Sequence, residues 1–431
     1  MRSSRRRLVK LLGAGVTAPW LAGCVAPTGS PLSRVRSRAR VVIIGGGFAG
    51  VTVARELKAA APNLSVALIE PKRRYVACPF SNLVIAGLRS LEEQTFSYAA
   101  LQSDGIYVVH DSAVAVDYDA RTVRLAEGDD LPFDRLEVTP GIELDYDALS
   151  GYDAAAAEVA PHAWQAGPQT LLLRRQLEAM PDGGVVAMAI PDNPYRCPPG
   201  PYERASLIAW YLKQHKPRAK LLLLDAKDRF SKQPLFEQAW QQEYGELLSW
   251  QGRSDGAAVT RVDAQTQTLY TDFDSVRADV LNVIPPQRAG AIARQANLVD
   301  ESGWCPVDAA SFESLRQAGT YVLGDAAIAN AMPKSAFAAN AQGRHCAAQV
   351  LRNLAGEPPL DGKLLNTCYS LVRPGYGISV AGVYEPAGEF WQEIDGAGGA
   401  SPVTAPARQR SLEAEYAAAW FDHLTGSLFG R

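Results

Sequence analysis

Arg40–Glu70 reads RVVIIGGGFAGVTVARELKAAAPNLSVALIE, and its pattern decides the fold. Val41–Ile44 is a short β-branched apolar run, the signature of a buried parallel strand. Gly45, Gly47 and Gly50 follow as G-x-G-x-x-G. Ala49, Val53, Ala54 and Leu57 then make a helical stripe, and Val66–Ile69 is a second buried strand closed by Glu70, 20 residues after Gly50. Gly45 permits the tight turn, Gly47 lets backbone approach a pyrophosphate, and Gly50 lets helix and strand pack closely. The helix N-terminus offers free N–H groups and a partial positive charge, and Glu70 stands where a carboxylate accepts ribose hydroxyls. Strand, glycines, helix, strand and acid together make a dinucleotide site. NAD and FAD share this fingerprint, so the choice of ligand rests on the rest of the chain.

The 431 residues leave room for two or three domains. With 47% hydrophobic and 21% charged residues the composition is that of an ordinary globular protein. A net charge of −3, with no basic stripe interleaved with aromatics, gives no reason to expect a nucleic-acid partner. No apolar run reaches the roughly 18 residues of a transmembrane helix, and no metal site is assigned. Six cysteines are too few for a disulfide scaffold at this length but enough for redox chemistry.

Residues 1–38 read as a twin-arginine signal and linker. Ser4-Arg5-Arg6-Arg7-Leu8-Val9-Lys10 precedes a mildly apolar stretch from Leu11 to Leu21, and Pro27–Ser37 is a Pro/Ser/Arg linker. This address implies a periplasmic protein exported after folding around a cofactor. Leu21-Ala22-Gly23-Cys24 has the form of a lipobox; acylation of Cys24 and cleavage further on both fit, so a lipid anchor stays open.

Further along, Ile106–Val109, Ala113–Asp117, Thr122–Leu125 and Arg135–Val138 alternate like strands, and Gln169–Met180 reads as a helix. Gly184–Ile190 opens a second nucleotide-type unit, continued by a helix at Ala205–Gln214 and a strand at Lys220–Asp225. Its turn, Pro191–Gly200, has no glycine triplet, and its prolines lack N–H donors, so it cannot cradle a pyrophosphate in the usual way. That argues against NAD(P)H. Thr320–Leu323 is a strand running into Gly324-Asp325, with a helix near Ala336–Leu351; an acid at that place fits the ribityl or pyrophosphate part of FAD, although an N-cap Asp has the same pattern. Beyond Gly362 the chain turns rich in Tyr, Gly and Pro, which suggests a separate C-terminal region.

Cysteines carry the chemistry. Cys78 lies eight residues beyond Glu70 on a loop that runs towards the far end of the dinucleotide, within reach of an isoalloxazine edge. Cys197 occupies the turn that has lost its glycines, and Arg196 beside it favours the reactive thiolate. Cys368 lies outside both strand patterns, and Cys305 and Cys346 read as structural. Cys197, Cys305, Cys346 and Cys368 permit three pairings, among which sequence does not choose. No C-x-x-C-H occurs, so the chain carries no c-type haem itself.

Cys78-Pro79-Phe80-Ser81-Asn82, the run Pro194–Arg204 (PYRCPPGPYER), Gly324-Asp325 with Met332-Pro333-Lys334-Ser335, and Asn366-Thr367-Cys368-Tyr369-Ser370 resemble the flavoprotein subunit of flavocytochrome c sulfide dehydrogenase from about Arg40 to the C-terminus. The resemblance implies FAD bound covalently through Cys78, a redox disulfide between Cys197 and Cys368, and Glu203 handling protons. It further implies cofactor contacts from Gly45, Gly47, Gly50, Glu70, Gly324, Asp325 and Lys334, and a heterodimer with a c-type cytochrome subunit. Hydrosulfide would open the disulfide to a persulfide and a thiolate, with the flavin passing electrons singly to haem. The expected class is α/β, with two dinucleotide-binding-type (Rossmann-like) domains of the glutathione-reductase type plus a C-terminal α+β interface domain. The expected domains are residues 39–150 and 291–360 for FAD, 151–290 for the second unit without phosphate-binding glycines, and 361–431 for cytochrome docking.

Three other readings compete. A sulfide:quinone oxidoreductase-like membrane-surface enzyme would use an amphipathic anchor, and Leu412, Tyr416, Trp420, Leu424 and Leu428 do recur every four residues; such a stripe more often packs on its own core or on a partner. An NAD(P)H-dependent disulfide reductase would show a close cysteine pair, absent here. A non-catalytic flavin electron-transfer protein would need no disulfide.

Overall fold

The structure, a computed structural model, describes residues 39–430. The signal, the linker through residue 38 and the lipobox with Cys24 lie outside the described residues.

The opening stretch folds as its pattern predicts. Strand Arg40–Ile44 leads through the glycine turn into helix Phe48–Ala60 and back to strand Ser65–Ile69, which pairs parallel with the first. Val41, Ile43, Leu57 and Leu68 have no exposed surface, because a parallel sheet covered on both faces leaves none of its apolar residues in water. Three further parallel strands, Tyr107–Val109, Arg135–Val138 and Thr320–Val322, complete this sheet. The chain therefore leaves the first domain after Arg135–Val138 and returns to it some 180 residues later, the two-part arrangement expected for the FAD domain.

The second sheet is parallel too, in the order Leu248–Gln251, Lys220–Asp225, Val185–Ile190, Val280–Val283. Its helix runs over Gly200–His215, five residues earlier than its apolar periodicity suggests. Pro201 explains the early start: in a first helical turn the missing proline N–H costs nothing. Residues 226–277, for which the sequence offers no expectation, supply helix Gln233–Glu243 and the antiparallel strands Val259–Asp263, Thr268–Thr271 and Ser275–Arg277. The acid ending the second strand, Asp225, has no exposed surface; it accepts hydrogen bonds from Tyr202 Oη (2.6 Å), Trp250 Nε1 (3.0 Å) and Lys227 Nζ (2.6 Å). With the Lys227 backbone N–H also donating to it at 3.1 Å, this carboxylate has no lone pair left for a ribose.

Residues beyond 361 form long antiparallel strands Leu364–Arg373 and Tyr376–Ala387, joined by Phe390–Glu393, and the closing helix Ala407–Phe429. This region has an antiparallel sheet of its own and packs closely against the first domain. Phe421, fully buried, stacks on Phe80 at 4.9 Å, and Phe429 stacks on Tyr75 at 5.1 Å and Phe96 at 5.2 Å. The four-residue stripe divides between environments: Leu424 and Leu428 are buried, whereas Tyr416 is 54% exposed. The helix thus packs on its own core along a face centred on Glu413, Ala417, Phe421 and Leu424. No helix among the described residues is long and apolar enough to cross a membrane.

Candidate active site

All three regions contribute to one cavity of about 320 Å³. Every site residue picked out in the sequence lines it except Gly50 and Lys334. At the dinucleotide end, Gly45 sits at φ +105°, and a Cβ there would lie 2.3 Å from the Thr139 carbonyl oxygen. A Cβ on Gly50 would lie 2.0 Å from the Gly45 carbonyl oxygen, so this glycine serves helix–strand packing and stays off the cavity wall. Gly47 has nothing within 4 Å of its Cβ position, and no side chain caps the helix that follows. The Glu70 carboxylate accepts the Gly46 N–H at 2.9 Å and the Lys72 N–H at 3.0 Å, which fixes it at the rim.

Across the cavity, Asp325 follows strand Thr320–Val322. Its Oδ1 is buried without a hydrogen-bond partner, and burial pushes its carboxyl pKa up against the opposing pull of Arg196 and Lys334. A buried carboxylate oxygen without a donor is costly unless a ligand supplies one. Together with an uncapped helix N-terminus and open space at Gly47, this fits the hydroxyl and phosphate groups of FAD. Lys334 departs from its expected role: its Nζ donates to the Asp325 and Ala327 carbonyls at 2.7 and 2.8 Å and lies 3.9 Å from the Trp304 ring centre. A buried ammonium must find acceptors, and here it finds them in the turn that aims Asp325.

The reactive end gathers three cysteines from distant parts of the chain. Cys78 Sγ lies 3.9 Å from the Trp164 carbonyl. Cys197 adopts a left-handed backbone, φ 58°, with its N–H donating to the Lys334 carbonyl at 2.7 Å. Such a conformation is strained for a residue with a Cβ. Cys368 lies within strand Leu364–Arg373, buried, its Sγ accepting from Asn366 Nδ2 at 3.3 Å. All five described cysteines are free thiols, so Cys197 and Cys368 share the cavity without being bonded; Cys305 and Cys346 are buried away from it. Arg196 lowers the Cys197 thiol pKa as expected, but burial outweighs it. Burial pushes the Cys197 thiol pKa well up, Cys368 and Glu203 push it further, and Lys232 and Arg196 only partly oppose them. The Arg196 guanidinium is occupied with the Trp164 carbonyl.

Glu203 lies in the first turn of helix Gly200–His215. Its oxygens accept Asn82 Nδ2 at 2.8 Å and the Leu371 N–H at 2.9 Å. Burial raises its pKa, while those two donors, Lys232 and Arg204 pull it back. An acid held this way can exchange a proton within the cavity.

Sequence reasoning left Asn82, Arg204, Trp164 and Lys232 without roles. Arg204, 2% exposed, donates from Nε to Asn82 Oδ1 (3.0 Å) and from its other nitrogens to the His162 and Ala163 carbonyls (2.8 and 2.6 Å). That grip turns the Asn82 amide nitrogen towards Glu203. Asn82 and Arg204 stood inside the quoted motifs four residues after Cys78 and seven after Cys197, a signal that could have found them. Lys232 Nζ donates to the Cys368 carbonyl and the Ser370 hydroxyl, and no local pattern marks it.

Comparison with known proteins matches three segments of the chain. Residues 39–150 match the pyridine nucleotide-disulphide oxidoreductase family, 170–285 the central region of the sulfide dehydrogenase [flavocytochrome c] flavoprotein chain, and 361–429 the flavocytochrome c sulphide dehydrogenase flavin-binding region. The sulfide dehydrogenase [flavocytochrome c] flavoprotein chain of Chlorobaculum thiosulfatiphilum is 53% identical over 45 residues, 10% of this chain and 94% of that sequence. The mitochondrial sulfide:quinone oxidoreductase of Mus musculus is 22% identical over 293 residues, 66% of this chain and 65% of that protein. The chain thus spans just under two thirds of that relative's length. Among solved structures, the sulfide:quinone oxidoreductase of Aquifex aeolicus superposes with a TM-score of 0.71 at 15% identity, covering 90% of this chain and 91% of that one. The covalent putidaredoxin reductase–putidaredoxin complex gives 0.64 at 16% identity, over 88% and 93%. These likenesses carry the fold.

Proposed function

The chain belongs to the family of the flavocytochrome c sulfide dehydrogenase flavoprotein chain, and from that premise we propose that it oxidises hydrogen sulfide with FAD through Cys197 and Cys368 and delivers the electrons to a c-type cytochrome subunit. One observation carries the reading: Cys78, Cys197 and Cys368 come from separate segments yet line a single cavity with Glu203 and the dinucleotide cradle. With Cys197 and Cys368 oxidised to a disulfide, hydrosulfide attacks one sulfur. A new S–S bond gives the persulfide, the old one breaks, and the other cysteine leaves as thiolate. Glu203 takes up or returns the protons of these sulfur species, its carboxylate steadied by Asn82 and the Leu371 N–H. Bound FAD supplies an electron-pair acceptor that can release its electrons one at a time. Gly47, Glu70 and Asp325 would hold its dinucleotide part, and Cys78 would tether the ring covalently.

Residues 1–38 would direct the protein to the periplasm, and N-terminal sequencing with a mass measurement of the mature chain decides between soluble and Cys24-acylated forms. Function is tested by adding sulfide anaerobically to the FAD-loaded protein and offering oxidised c-type cytochrome or a quinone. Faster turnover with the cytochrome is expected; turnover with quinone alone would place the chain with the quinone-linked enzymes. A mass increment of one FAD on the Cys78 peptide is expected after acid denaturation, and an unmodified peptide refutes the tether.

A further inference from the structure

Lys232 immediately precedes helix Gln233–Glu243 in a left-handed conformation, φ 63°. Its side chain reaches into the core, where only 8% of the residue stays exposed. Nζ donates to the Cys368 carbonyl at 2.9 Å and to Ser370 Oγ at 2.7 Å, two acceptors on the strand that carries Cys368, and lies 5.7 Å from the Phe236 ring centre. Both acceptors are neutral, and a buried ammonium is costly without negative charge nearby. The groups in electrostatic reach that favour its charged form are Cys368, Glu203, Cys197 and Glu413, while burial itself lowers its pKa to about 8. Of the cations on neighbouring elements, Arg196 is engaged by the Trp164 carbonyl and Arg204 by Asn82 and the carbonyls of His162 and Ala163. Lys232 is therefore the cation whose hydrogen bonds go to the cysteine strand itself.

We propose that Lys232 is a positioning residue of the sulfide reaction, tying the Cys368 strand in place and holding a positive charge beside the Cys197/Cys368 pair. The inference rests on the function proposed above. In the opening step a hydrosulfide anion and a disulfide become a persulfide, its sulfur still carrying the proton, and a thiolate. Net charge is unchanged and no proton moves, yet negative charge passes from a mobile anion to a protein sulfur buried beside Glu203. A cation held at that place offsets the cost of the transfer.

Lys232→Met, Lys232→Gln and Lys232→Arg test this in the full-length, FAD-loaded protein reduced with dithiothreitol. The readout is the pH dependence of Cys197 alkylation by iodoacetamide, resolved by peptide mass. An opposite charge at close range shifts a pKa by about one unit or more, so the Met and Gln variants are expected to react roughly tenfold more slowly at neutral pH, the difference closing above about pH 8 as the parent's Lys232 loses its proton. Arg restores the parental rate at neutral pH and keeps it above about pH 8, where the parent loses its charge. Parental profiles in Met and Gln, or a loss shared equally by Arg, overturn the proposal. Gln, which keeps a donor without charge, decides should Met fail to fold. Alkylation uses no sulfide: a parent that sulfide cannot reduce, with an intact Lys232 effect, condemns the proposed function alone.

Discussion

Replacing Gly47 and Gly50 one at a time separates cofactor grip from folding. At Gly47 the backbone is extended, φ −80° and ψ −169°, which any residue adopts, and nothing lies within 4 Å of an added Cβ. Gly47→Ala should leave the stability of the apoprotein within about 0.5 kcal/mol of the parent. Its methyl group occupies the space through which a pyrophosphate would reach the helix N–H groups. A hydrogen bond to a charged group is worth about 1.5–3 kcal/mol, so one lost bond weakens FAD binding roughly ten- to a hundredfold. At Gly50 the added Cβ would lie 2.0 Å from the Gly45 carbonyl oxygen, backbone that cannot swing aside. Helix and strand must part, at the roughly 1–3 kcal/mol typical of overpacking, and the apoprotein should melt several degrees lower. Both variants are measured in a Cys78→Ser background, so that a covalent link cannot mask affinity, by FAD titration and by thermal unfolding without FAD. Parental affinity in Gly47→Ala refutes the pyrophosphate assignment; an unchanged melting temperature in Gly50→Ala refutes the packing role.

Two other perturbations probe the frame. Glu137 has no exposed surface, and burial raises its pKa to about 8, partly opposed by the Cys346 thiol 3.4 Å away. The folded chain keeps a proton that the unfolded chain has lost, so native stability falls as pH rises from about 4.5 to about 8. Urea unfolding should show Glu137→Gln gaining on the parent across that window by up to a few kcal/mol and matching its pH dependence below it; parallel curves throughout contradict this. Phe421→Ala should cost about 3–5 kcal/mol through lost packing on Phe80, whereas Tyr416→Ala, more than half exposed, should cost under about 0.5 kcal/mol. Equal melting temperatures for the two variants would mean that the closing helix is not held by the core.

What the sequence disclosed follows from how local each signal is. The stretch Arg40–Glu70 is contiguous, and hydrophobic period and glycine spacing carry it completely. The second domain was legible from its buried strands and from the prolines of Pro191–Gly200. Cys78, Cys197, Glu203 and Cys368 were found because each sits in a distinctive motif, and the cavity brings all four together. Lys334 was placed correctly in the chain but not in the site, because the turn it braces exists only in three dimensions. Arg196 does pull the Cys197 pKa down, but the net state of that thiol was not legible for a related reason: adjacency in sequence says nothing about burial, which dominates it. Lys232 was invisible. It follows Cys197 by 35 residues and meets Cys368 only through the packing of the C-terminal strands.

The central claim is that sulfide electrons enter through the Cys197/Cys368 pair. It is tested most directly by mixing sulfide anaerobically with the oxidised, FAD-loaded protein and with its Cys197→Ser variant while following the flavin absorbance. The parent should bleach rapidly and the variant should retain its oxidised flavin spectrum. Bleaching of the variant at the parental rate would contradict the account.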